Sequence, residues 1–166
     1  MSAATSPTDH SPMVRLALLE DLDELVRLDQ LARDHLRPLR GGEMYLLHTA
    51  RPQPAGASLR EDLADVDRIV VLGCLGAVPV GYAIGAIRPL ADATCAADIT
   101  EVFVEPDARG VGIGSLLLHE LLHWASDRGC IGIDARALPG DRNTKNFFEA
   151  FGLVARAITV HRDLRG

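Results

Sequence analysis

No apolar run in this chain approaches the ~18 residues that a membrane-spanning helix needs. Residues 1–12 are polar and proline-containing, without the succession of basic, apolar and small residues that marks a secretory signal. They read as a disordered tail. Cysteine is scarce: Cys74, Cys95 and Cys130 are odd in number and fall mostly in apolar runs. They are expected to be buried reduced thiols rather than a disulfide framework, which places the protein in the cytoplasm. Basic runs are also missing, and a net charge of −6 excludes nucleic acid as a partner. There is no internal repeat and no low-complexity tract. What remains is a 166-residue chain, 48% hydrophobic, enough to fill one core, so residues 13–166 are expected to form a single domain.

The chemistry is concentrated after residue 98. Ile99-Thr100-Glu101-Val102-Phe103-Val104 is rich in β-branched and aromatic residues and reads as a strand, ended by Pro106, which has no N–H to give a ladder. Ile113, Leu116, Leu117, Leu121, Leu122 and Trp124 then recur at helical spacing, and Gly129 suits the helix stop. Between strand and helix lies Arg109-Gly110-Val111-Gly112-Ile113-Gly114. The first N–H groups of a helix have no intrahelical partner, and they sit at the positive end of its dipole. Glycines let an anion approach them, so the turn reads as a pyrophosphate cradle. A dinucleotide-binding fingerprint would need a third glycine where Ser115 stands, and a P-loop would end in Gly-Lys-Ser/Thr, whereas no lysine follows these glycines.

The remaining elements can be placed from periodicity. Residues 13–17 read as a strand, and Leu22, Leu25, Val26, Leu28 and Leu31 give one helix face. Residues 37–57 read as loop, with Arg40-Gly41-Gly42-Glu43-Met44-Tyr45 as a glycine turn beside ionisable groups. Ser58-Leu59-Arg60-Glu61 has capping-box spacing and predicts a short helix. Residues 69–75 and 79–87 form a hairpin about Gly76-Ala77. A strand over 131–137, a helix over 143–151 and a last strand over 154–162 complete the order β-α-α-β-β-β-α-β-α-β.

That order, and Arg109-Gly110-Val111-Gly112-Ile113-Gly114 after the Val104-Glu105-Pro106 strand end, resemble the GNAT superfamily of N-acetyltransferases and its Arg/Gln-x-x-Gly-x-Gly/Ala signature. The resemblance spans about residues 13–164, with only the signature being sequence-specific. It implies an α/β fold with a mixed, mostly antiparallel sheet, splayed central strands and helices on both faces. It also implies acetyl-CoA as cosubstrate, a primary amine of a small molecule or peptide as acceptor, and direct transfer in a ternary complex. Homodimers occur in the superfamily. Arg109, Gly110, Val111, Gly112, Ile113 and Gly114 would hold the pyrophosphate, and the main chain of Val102, Phe103 and Val104 the pantetheine arm. An oxyanion-type backbone donor of this kind is worth ~3 kcal/mol of barrier.

Glu101 matches a glutamate that serves many members as base. Its apolar neighbours Ile99, Val102 and Val104 would raise its pKa toward neutrality, the alternative being an ion pair with Arg136. Many members also carry an asparagine eleven residues before a glycine and a tyrosine four before it. Aligned on Gly152, the tyrosine position is Phe148, which has no hydroxyl, and the asparagine position is Asp141, with Asn143 two residues on. Phe147 and Phe151 read as core-facing. Residues 30–65 would build the acceptor wall, with Tyr45 and His48 as candidates to touch substrate and Tyr82 as packing. His119 and His123 are four apart on one helix but lack a third ligand, so no metal is expected. No cysteine flanks the cradle to form an acyl-enzyme. The main rival is a non-catalytic acyl-CoA-binding module of the same fold, acting as a sensor or partner-binding protein and supported by the missing tyrosine. A nucleotide-binding oxidoreductase fits neither the third glycine position nor the strand order.

Overall fold

Alternation along two long strands decides the layering. The computed structural model describes residues 11–164. Strands β2 (Arg68–Leu75) and β3 (Val78–Pro89) form an antiparallel hairpin that turns at Gly76, where φ is +57°. Successive side chains point to opposite faces of a strand. Val70, Leu72 and Cys74 accordingly enter one core, with Leu25, Leu28 and Leu59, while Ile69 and Val71 enter a second, with Ile113, Leu117 and Leu121. Strand β1 (Pro12–Leu16) flanks β2, strand β4 (Cys95–Val104) flanks β3, and both pairings are antiparallel. The two-residue strand β5 (Ile133–Asp134) is parallel to β4 and closes the order β1-β2-β3-β4-β5.

Helices cover both faces. Helix α1 (Leu22–Leu36) and helix α3 (Gly56–Ala64) bury Leu25, Leu28, Ala32 and Leu59 against the first face. Helix α4 (Ile113–Asp127) and helix α5 (Arg142–Ala150) seat Ile113, Leu117, Leu118, Leu121 and Phe148 on the second. Gly129 ends α4 with φ +72°, as its position after Arg128 suggested.

Several expectations need correction. Residues 37–57 are not all loop, because Gly42–His48 form helix α2. Gly41 takes φ +83° at its N-cap, and a Cβ on Gly42 would fall on the Leu36 carbonyl, so the glycine pair joins two helices at close quarters. Helix α3 starts two residues before Ser58, whose Oγ donates to the Ala55 carbonyl at 3.0 Å, so there is no capping box at Ser58. Leu31 is exposed rather than on the buried face of α1. Strand β5 is shorter than 131–137, and residues 154–162 form no strand. With only Ile133 and Asp134 paired at that edge, there is no ladder to extend. Val154, Ile158 and Val160 stay exposed, and the segment is tied by Arg156, whose Nε donates to Asp134 Oδ1 at 2.7 Å. Pro12 belongs to β1, and residues 1–10 of the expected tail lie outside the described residues. The three cysteines are free thiols, Cys74 buried and Cys95 and Cys130 half-buried, with 3.4 Å between the last two sulfurs.

Candidate active site

The pairing of β4 with β5 ends at Asp98 and Asp134. Beyond it, Ile99–Val104 has a partner strand only on the β3 side, so its other backbone edge is open. This gap is the floor of a cleft of about 730 Å³ that is lined by Val102, Phe103 and Val104 and reaches the glycine turn and the start of α5. At the turn, Gly110 and Gly112 take φ +84° and +97°, and a Cβ on either would meet nothing within 4 Å. Only glycine adopts such angles without strain, and here it leaves the N–H groups of the first turn of α4 facing open space. The adjacent Arg109 donates Nε to the Val104 carbonyl at 2.9 Å, stacks on Phe103 at 5.9 Å and leaves its positive charge at the mouth. The turn therefore fits an anion of phosphate type.

A bulge places Glu101. Opposite β3, Ile84 faces Glu101 and Gly85 faces Ile99, so Thr100 is an extra residue, its Oγ1 bonded to the Ile84 carbonyl at 3.2 Å. In an unbroken strand, residues 99 and 101 would share a face. The bulge sends Ile99 into the α4 core and turns Glu101 to the other face, toward α1 and α3, a known use of bulges beside sites. There its Oε1 accepts from Arg51 at 2.5 Å and its Oε2 from the Tyr82 hydroxyl at 2.8 Å. An ionised carboxylate has about four acceptor positions, so each oxygen keeps one for an incoming proton.

Arg51 is the hub of this network. It comes from the segment between α2 and α3, its side chain is 6% exposed, and it also donates to Asp62 at 2.8 Å and to Ser58 at 3.1 Å. Its Nε is buried without a hydrogen-bond partner and faces Asp29 at 3.6 Å. Asp29 in turn accepts from Arg33 and from Gln53, each at 3.0 Å. Burial raises the Glu101 pKa above the ordinary carboxylate value. The Arg51 charge and hydrogen bond, and then the Tyr82 hydroxyl, pull it back down. Burial also raises the Tyr45 and Tyr82 phenols, with the Glu101 charge adding to both.

Placement of the remaining candidates is mixed. Tyr45 on α2, Asp141 and Asn143 line the cleft, Asp141 also capping α5 by accepting from the Thr144 N–H at 3.1 Å. Phe148 is 5% exposed, packs in the α4 core and still lines the cleft, as does Phe147, whereas Phe151 only packs. Within the turn, the Ile113 side chain is buried in the core and Val111 is half-exposed, neither lining the cleft. His48 is off the cleft, in a separate shallow hollow with Met44, Leu47 and His161. The ion partner of Glu101 is Arg51, not Arg136. His119 bonds the Ser115 carbonyl at 2.9 Å and His123 pairs with Asp127 at 3.2 Å. Among the described residues, no group of three His, Cys, Asp or Glu could hold a metal ion, and no helix is long and apolar enough to cross a membrane. Sequence reasoning missed Arg51, Asp29, Asp62 and the hydroxyl of Tyr82. The faint signal was charge on the buried side of α1, where Asp29 falls one residue after Leu28.

A mostly antiparallel sheet that opens beside a strand-glycine turn-helix unit is an acyltransferase architecture. The chain belongs to the acetyltransferase (GNAT) family, whose model matches residues 28–153. Comparison with curated protein sequences gives no match. Among solved structures, AAC(6')-Iy in complex with the bisubstrate analog CoA-S-monomethyl-acetylneamine is 19% identical, with TM-score 0.72 over 93% of this chain and 99% of that one. An aminoglycoside acetyltransferase from an uncultured soil metagenomic sample, in complex with trehalose, is 16% identical, with TM-score 0.71 over 95% and 97%. The ribosomal-protein-alanine N-acetyltransferase of Brucella melitensis biovar Abortus 2308 is 18% identical, with TM-score 0.68 over 92% and 99%. At these identities the likeness is one of fold.

Proposed function

We propose that the protein is a cytoplasmic, acetyl-CoA-dependent N-acetyltransferase, its residues 13–166 acting as one domain, that acetylates a primary amine of a small molecule or peptide within a ternary complex. The observation that carries this reading is the single cleft joining the glycine turn, the open edge of β4 and the Glu101 carboxylate. The turn from Arg109 to Gly114 holds the pyrophosphate, and the main chain of Val102, Phe103 and Val104 holds the pantetheine arm. Asp141 and Asn143 border that arm from α5, and Tyr45 faces the acceptor. Glu101, held by Arg51 and Tyr82, takes a proton from the acceptor nitrogen directly or through one water. A carbon–nitrogen bond then forms as the carbon–sulfur bond breaks. Phe148 has no proton to give, so the departing thiolate takes its proton from water, which a good leaving group tolerates. The reaction so drawn needs no metal ion.

Titration with acetyl-CoA, with and without a panel of amines, tests the reading through the appearance of free thiol. Amine-dependent thiol release is the expected result. Tight acetyl-CoA binding with no release for any amine would establish a non-catalytic binding module instead.

A further inference from the structure

The charges that line the cleft are unbalanced, and the imbalance says something about the acceptor. Both carboxylates on its wall are committed: Glu101 to Arg51 and Tyr82, Asp141 to the Thr144 N–H. Three arginines line the same cleft with no ion pair to a carboxylate among the described residues. Arg109 precedes the glycine turn and Arg142 opens α5, where a phosphate-bearing ligand would account for both. Arg136 follows β5, is exposed, and makes no hydrogen bond or ion pair among the described residues. Arg136 lies two residues past the last paired residue of β5 and Glu101 three past the last paired residue of β4, where the two strands part, and both line the cleft with Tyr45. Arg136 thus lines the same cleft as the carboxylate proposed to receive the acceptor nitrogen, with no ion pair of its own among the described residues.

We infer that the acceptor is a carboxylate-bearing amine of the amino-acid class, with Arg136 receiving its carboxylate while Glu101 faces its nitrogen. This rests on the N-acetyltransferase reading above and narrows it. A guanidinium presents paired N–H donors that match the two oxygens of a carboxylate. An acceptor with several positive charges and no negative one would meet an uncompensated arginine at this place, and like-charge contacts select against a partner. The acceptor class thus carries a negative group that a polycationic aminoglycoside lacks.

The test uses the full chain with a set of free L-amino acids, their carboxamides and one aminoglycoside. The carboxamides keep the amine and delete the negative charge. Free amino acids should be used at least tenfold better in kcat/KM than their carboxamides. Arg136→Gln should erase that preference by raising KM for the free acid, and leave KM for acetyl-CoA and turnover of the carboxamides within twofold. Equal or better use of the carboxamides or the aminoglycoside by the wild-type protein would overturn the inference. So would a raised KM for acetyl-CoA in Arg136→Gln, which would assign the arginine to the cosubstrate. Calorimetric binding of the same acids and amides in the presence of CoA separates this inference from the catalytic one. Preference for the acid that is lost in Arg136→Gln, without thiol release, would sustain the binding assignment while the transferase reading falls. Failure of both the acids and the carboxamides to bind would overturn the assignment.

Discussion

The glycine turn at residues 109–114 and the ionic network around Glu101 lie on one cleft but are built by opposite means. The turn is local and made of backbone: consecutive residues, positive φ angles at Gly110 and Gly112, open space above them, and a helix dipole behind. The network is made of side chains from α1, the α2–α3 connection, α3, β3 and β4, buried together and held by mutual charge. A backbone site tolerates change in its side chains and is ruined by a change in φ. A side-chain network fails when any shared partner is removed, because a buried charge is left uncompensated. Substitutions in the two regions should therefore separate binding from chemistry.

The largest effect is expected at the network's acceptor of protons. Glu101→Gln keeps the shape and can keep a bond to each neighbour, its carbonyl accepting from Arg51 and its amide N–H donating to the Tyr82 oxygen, while removing the base, so thiol release at neutral pH should fall ~10²-fold or more, with acetyl-CoA affinity intact. The loss should shrink at high pH, where the acceptor amine is already deprotonated. A rate unchanged at neutral pH would reduce Glu101 to a structural residue and leave the turn as the only functional half.

Arg51 comes next, because it touches Glu101 without facing the acceptor. Arg51→Met strands Asp29, Asp62 and Glu101 without their common cation, which should cost about 3 kcal/mol in urea unfolding. Its second signature is a pH profile. Glu101 is already raised by burial and lowered by Arg51, so losing Arg51 moves its titration further up. The acid limb of kcat should shift to higher pH, and the rate should drop most on the acidic side. Tyr82, which keeps its hydrogen bond, Asp29 and Tyr45 remain near the carboxyl and set how far it moves. Arg51→Lys should restore most of the limb's position, since it returns the charge. Since the folded carboxyl binds its proton more tightly than the unfolded one, ionising Glu101 costs stability as pH rises through that limb. An unmoved limb in Arg51→Met would mean that the arginine only packs.

At the turn, Gly112→Val should weaken acetyl-CoA binding about tenfold or more with little change in fold. A β-branched residue at φ +97° is strained by ~1–2 kcal/mol, and its side chain enters the open space that an anion would use. Calorimetry and thermal unfolding on the same variant measure the two parts. Wild-type affinity in a folded Gly112→Val protein would break the pyrophosphate assignment.

The same contrast explains what could be read from the chain. The turn was legible because its signal is contiguous: an apolar strand, Pro106, spaced glycines and a helical stripe occupy one stretch. The hairpin at Gly76 was legible for the same reason, and Glu101 could be singled out because it matches a glutamate that many family members carry in the strand before the turn. Its neighbours could not, since Arg51 is fifty residues away in sequence and Asp29 still further. The face on which Glu101 lies was hidden too, because a one-residue bulge at Thr100 leaves no mark in an apolar run. Helix α2 escaped because seven residues that open on a glycine pair give too little periodicity. The expected strand at 154–162 has strand-forming residues, but a strand needs an edge to pair with, and β5 provides two residues.

Phe148 belongs to neither region but borders the cleft they share, and the smallest predicted effect falls there. Its ring is 5% exposed and packed in the α4 core, yet it borders the cleft, and alignment on Gly152 matches it to the tyrosine of many family members. Phe148→Tyr adds one hydroxyl to that ring. A buried hydroxyl without a partner costs ~1–3 kcal/mol. A hydroxyl that reaches the cleft meets water, or a departing thiolate to which it gives a proton. Because the ring borders the cleft, stability should fall by less than about 1 kcal/mol, the lower end of that unsatisfied-group cost, and thiol release should hold or rise. Thermal unfolding and thiol-release rates from one preparation distinguish the outcomes. A variant destabilised by the full amount, with an unaltered rate, would place the edge of the ring wholly in the core. It would then remove Phe148 from the cleft's chemistry, leaving the thiolate to take its proton from water with or without the substitution.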